Sequence, residues 1–93
     1  MNILRFYKFK KGFWSPIITY DEKYLLNKEL YGEHRGWWNV FRLDELEYKQ
    51  TGHRSWETMT SPYFQSKEQA MKWVQERFYP NYKLQKKLIK KED

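Results

Sequence analysis

The chain has 93 residues and a formal net charge of +6, with five Trp, eight Tyr and six Phe but no cysteine. That length accommodates one domain, and the missing cysteines exclude a disulfide framework and a thiolate metal site. No stretch approaches the roughly 20 apolar residues of a membrane span, in line with a mean hydropathy of −1.07. Residues 1–9 alternate apolar and polar and carry Arg5 and Lys8, so they contain no apolar core of a secretory leader. Together these features lead to the expectation of a cytoplasmic protein with no membrane association.

Apolar mass comes in large rings, while alanine occurs once, at Ala70. Aromatic side chains suit a pleated, half-buried surface, which favours sheet over a helical bundle. The usage of Lys, Tyr, Phe, Ile and Asn resembles that of AT-rich genomes and of small bacteriophage reading frames. Charge is unevenly placed: residues 1–14 carry +4, residues 83–93 carry +3, and residues 15–48 are net acidic. Such a distribution can steer an anionic partner.

In chain order, residues 3–9 read as a strand, Lys10-Lys11-Gly12 as a turn and residues 13–20 as the returning strand, a β-hairpin over 3–20. Pro16 lacks an N–H, so this strand should lie at an edge or begin at Pro16. Residues 21–33 fit a short helix capped by Asp21 or an irregular crossing. Gly32 and Gly36 bracket a charged loop. Residues 37–43, aromatic and β-branched, are the best strand. Residues 44–48 extend it or turn, a turn follows at 50–53, and residues 54–59 return as a strand. Ser66 and Gln69 match a capping box and open a helix over 67–78, with Ala70, Trp73, Val74 and Phe78 on one face and Pro80 as the stop. Residues 83–91 fit a short basic amphipathic helix or a frayed tail.

The expected fold class is therefore α+β: a two-layer sandwich of about four antiparallel strands with helix 67–78 on one face. Residues 1–82 form one compact domain, and 83–93 a basic C-terminal extension. The expected core is Val40, Phe41, Trp56, Ala70, Trp73, Val74 and Phe78.

The sequence holds no glycine-rich phosphate loop, no paired-histidine metal motif and no nucleophile elbow. Two His-Arg pairs, His34-Arg35 and His53-Arg54, supply the acid, base and cation of a metal-independent ribonuclease if they converge. Solvated loop residues beside turn glycines are the favoured explanation. The acidic run Asp44, Glu45, Glu47 fits a solvated edge, and neither a metal nor another cofactor is expected. The N-terminal hairpin is richer, because Arg5, Lys8, Lys10 and Lys11 interleave with Tyr7, Phe9, Phe13 and Trp14. Cations that track phosphates beside rings that stack on bases are the ingredients of a nucleic-acid groove. A core lined by edge lysines is the competing explanation. Trp37 and Trp38 are neighbours in a strand and must point to opposite faces. One can meet the helix, and the other is either covered by a second layer or exposed for recognition.

The run Gly36-Trp37-Trp38-Asn39-Val40-Phe41-Arg42, followed by Tyr63-Phe64-Gln65-Ser66-Lys67-Glu68-Gln69-Ala70, resembles the sheet-then-helix pattern of AP2-type and integrase arm-binding DNA domains. The likeness covers about a third of the chain. Residues 54–60 depart from it, since they are not the basic strand of such a DNA reader. The leading expectation is a non-enzymatic module that binds nucleic acid, or a nucleic-acid-containing complex, through Arg5, Lys8, Lys10, Lys11, Trp14, Trp37 and Arg54. The alternatives are a protein-binding inhibitor or adaptor of a host or defence protein and, third, the small ribonuclease.

Overall fold

The computed structural model describes residues 2–9, 16–59 and 61–89. Lys10, Lys11, Phe13 and Trp14 lie outside them. The fold is α+β. Strands β2 (Phe6–Lys8), β3 (Ile17–Thr19), β4 (Tyr24–Lys28), β5 (Trp38–Leu43) and β6 (Trp56–Thr58) form one antiparallel sheet in that spatial order. Helix α2 (Lys67–Phe78) packs on one face. A short helix, α1 (Glu45–Thr51), joins β5 to β6. Strand β1 (Asn2–Leu4) pairs in parallel with β7 (Tyr82–Leu84) as a separate two-stranded element.

The sheet has five strands rather than about four, because residues 24–28 form β4 instead of a helix or crossing. Asp21 does use its carboxylate to cap, but it caps a tight turn. Thr19 Oγ1 donates to Asp21 Oδ1 at 2.6 Å and accepts from the Lys23 and Tyr24 amides, while Glu22 N–H donates to the Thr19 carbonyl. The chain reverses at once. Leu25 and Leu26 then fall on opposite faces, and both are buried. A central strand covered on both sides overrides the helical preference of leucine.

The expected strand over 3–9 is two strands. The chain changes partner at Arg5: β1 pairs with β7, β2 pairs with β3, and the Arg5 carbonyl accepts from Tyr20 N–H. β3 begins just after Pro16 and lies inside the sheet, not at its edge. Residues 44–51, expected to extend the strand or turn, wind into α1. Asp44 accepts from Glu47 N–H, and Gly52 closes the helix with φ 75°. Asp-x-x-Glu followed by glycine is the capping signal for this helix.

Leu4, Phe6, Ile17, Leu26 and Val40 bury against Ala70, Met71 and Val74 of α2. Full burial of each large side chain contributes about 1.5–3 kcal/mol. Ser66 caps α2 by accepting from Gln69 N–H, and Gln69 Oε1 accepts in turn from Gln65 N–H. Trp38, Trp73 and Phe78 are half-buried at the rim of this core. Phe41 and Trp56 lie on the other face, with Tyr7, Ile18 and Leu25. Tyr7, Ile18, Leu25 and Phe41 occupy successive register positions across four strands. The sheet also curls, since the Phe9 and Trp56 rings, near its two edges, meet edge to face at 5.9 Å.

Candidate nucleic-acid interface

Helix α2 ends at Tyr79, where Gln75 Nε2 donates to both the Tyr79 and Tyr82 carbonyls. This clasp turns the chain back along the N-terminal strand. From Tyr82 onward the backbone runs parallel to residues 2–7. β7 pairs with β1, the Gln85 amide donates to the Leu4 carbonyl, and the Ile89 amide donates to the Phe6 carbonyl. Residues 83–89 are thus neither a helix nor a frayed tail; Lys90 to Asp93 lie outside the described residues. Leu84 and Leu88 pack on the helix-side core, and Ile89 packs on the opposite cluster. These apolar anchors hold the segment while Lys83, Lys86 and Lys87 remain exposed.

The two basic ends of the sequence are therefore neighbours. Arg5 and Lys8 on one segment and Lys83, Lys86 and Lys87 on the other are all exposed, and neither 2–9 nor 82–89 contains an acid. Five cations on two paired segments that themselves hold no acid attract polyanions.

The other sequence-derived site residues are dispersed. Arg54 lies at the end of the sheet that carries the β3–β4 turn. Its Nη2 is 2.8 Å from Glu22 Oε2, while Tyr7 Oη donates to Glu22 Oε1 at 2.7 Å. Arg54 is thus matched to a carboxylate rather than joined to the basic edge. Glu22 holds φ 65°, uncommon for a residue with a side chain, and its carboxylate joins β2 to the segment before β6. Trp37 lies at the opposite end, in the β4–β5 loop, three strands from β2. Trp38 faces the helix side, and Trp37 is 37% exposed. Beside Trp37, His34 stacks on Tyr63 with ring centroids 3.9 Å apart, and Tyr31 is 82% exposed. Lys28, Glu29, Glu33 and Arg35 around these rings balance one another in charge.

No known protein family, characterised protein or solved structure matches this chain.

His34 and His53 lie at opposite ends of the sheet, in the β4–β5 loop and after α1, so they do not share a site. The acidic run is taken into α1, where Asp44 is the cap. Among the described residues no three His, Asp or Glu side chains cluster as metal ligands, and no helix is long and apolar enough to cross a membrane.

The Tyr79 hydroxyl donates to Asp21 Oδ2 at 2.6 Å. Burial, and then this bond to a carboxylate, push its pKa well above the usual tyrosine range. Burial likewise raises Tyr24. Both are structural groups that fasten α2 to the β3–β4 turn. The basic charge of Lys83, Lys86 and Lys87 is visible in the sequence, but the helical spacing of their apolar neighbours Leu84 and Leu88 hides where they lie. Only the pairing with β1 reveals the edge.

Proposed function

We propose that the protein is a non-enzymatic module that binds nucleic acid through the phosphate backbone, using the edge formed by residues 2–8 and 82–89. The supporting observation is the pairing of two basic segments that themselves hold no acid and carry Arg5, Lys8, Lys83, Lys86 and Lys87. Lysines on an extended edge contact phosphates as point charges and confer little sequence preference. Binding should therefore be tolerant of sequence and steeply salt-dependent. The direct test is fluorescence anisotropy with labelled single-stranded and duplex oligonucleotides at several salt concentrations. Absence of binding tighter than about 100 μM near physiological salt, the weak end of non-specific association, removes this reading.

A second reading is favoured by a different observation. The exposed rings Tyr31, Trp37 and Tyr63 sit among charges that cancel, which suits the aromatic centre of a protein interface rather than a phosphate track. On this reading the chain is an inhibitor or adaptor that grips a host or defence protein. Affinity capture from cells with and without nuclease separates the two: a partner retained after nuclease and lost in Trp37→Ala supports the protein-binding reading.

A further inference from the structure

Two concavities share Arg77, the first between the end of α2 and strands β5 and β6, the second along α2 beside Phe64. One, about 530 Å³, is walled by Arg42, Thr58, Met59, Arg77 and Phe78. The other, about 590 Å³, is walled by Phe64, Gln69, Lys72, Trp73, Glu76 and Arg77. Arg42 and Arg77, from distant parts of the chain, both line the first. Arg42 uses its Nε on Glu57, at 2.8 Å, and its terminal nitrogens have no partner among the described residues. The Arg77 guanidinium lies 5.3 Å from the Trp73 ring centroid and 6.0 Å from that of Phe78, with no ion pair among the described residues. Glu57 pairs with Arg42, and Glu76, on the wall of the second concavity, lies 3.9 Å from Lys72.

Two rings, Phe64 and Trp73, line the second concavity beside Gln69, Lys72, Glu76 and Arg77. Trp73 and Phe64 are half-buried, their centroids 5.7 Å apart and their planes inclined at 52°. Two arginines beside ring surfaces match a ligand that carries a phosphate next to a flat base. Guanidinium forks bind phosphate oxygens in pairs, and base–ring contact tolerates any base.

We infer that these concavities receive one nucleotide unit of a bound single strand. The phosphate sits between Arg42 and Arg77, and the base rests against Trp73 and Phe64. This inference rests on the nucleic-acid reading above and extends it, because a base within a duplex stack cannot lie against these rings. The site is on the far side of the sheet from the basic edge, so a strand occupying both must span several nucleotides.

The test is a ¹⁵N NMR titration of the intact protein, following the Trp73 indole and Arg77 Nε signals. The probes are an oligouridine of twelve residues, a duplex of equal length, uridine monophosphate, uridine and inorganic phosphate. Oligouridine should shift both signals, and the duplex should leave the Trp73 indole unmoved. Arg77→Gln and Arg42→Gln should each weaken oligouridine binding about tenfold or more, since each removes a charged hydrogen-bonding group. Uridine monophosphate shifting both signals more strongly than uridine or phosphate supports the site and shows that it also takes the free nucleotide. A shift with oligouridine alone supports a site that acts only within a strand. Inorganic phosphate binding as tightly as uridine monophosphate overturns the inference in favour of a plain anion site. So does oligouridine binding that moves neither signal or is unchanged in both arginine variants, and the basic-edge reading then stands. If no oligonucleotide binds at all, both readings fall.

Discussion

Replacing Lys83, Lys86 and Lys87 together by Ala isolates the contribution of the C-terminal segment to nucleic-acid binding. The three side chains are exposed, and the segment is held by Leu84, Leu88, Ile89 and backbone hydrogen bonds, so the fold should persist. Each phosphate neutralised on a duplex adds about 0.9 to the magnitude of the log-log salt slope. Contact by all five cations of the edge therefore gives a slope of about −4.5, and an affinity loss of about 500-fold between 50 and 200 mM salt. With Arg5 and Lys8 alone, the slope becomes about −1.8 and the loss about 12-fold. The difference, roughly 2–3 units, does not depend on how many other cations of the chain touch the strand. Fluorescence anisotropy at four or more salt concentrations measures it, with a thermal melt of the variant as the control for folding. A slope that stays within about half a unit of the parent's, in a variant that melts normally, would refute the placement of the phosphate track on this edge.

The remaining predictions concern the scaffold. Phe6 is fully buried beneath α2, so Phe6→Ala should cost about 3–5 kcal/mol in chemical denaturation. Trp73 is only half-buried, so Trp73→Ala should cost less, about 2–3 kcal/mol, and a melt within a degree or two of the parent would contradict its packing on Phe64 and Phe78. Tyr79 is protonated in both folded and unfolded states below about pH 10, so it adds no pH dependence there. Above that the unfolded chain ionises first, because the folded pKa is raised, and stability should fall by up to about 1.4 kcal/mol per pH unit. Tyr79→Phe should flatten this alkaline decline while costing about 1.5–3 kcal/mol at neutral pH, through loss of the bond to Asp21; denaturant midpoints from pH 7 to 11 read both effects.

Local chemistry was legible in the sequence wherever neighbouring residues decided the outcome. Ser66 and Gln69 set the start of α2, and Ala70 and Val74 marked its buried face. The aromatic and β-branched run at 38–43 formed a strand, and the adjacency of Trp37 and Trp38 forced them onto different surroundings. Tertiary structure decided what depended on residues far apart in the chain. Leu25 and Leu26 became strand residues because strands β3 and β5 flank them and both faces are covered. Arg5 became a break because the backbone on its two sides pairs with different partners. Arg54 left the candidate site because Glu22, distant in sequence, meets it across the curled sheet. Lys83, Lys86 and Lys87 entered it because parallel pairing is a contact between chain ends, and helical spacing at Leu84 and Leu88 carries no record of a partner some 80 residues away. A short apolar repeat satisfies either a helix face or an extended segment anchored at intervals, and only the surface available for burial selects between them.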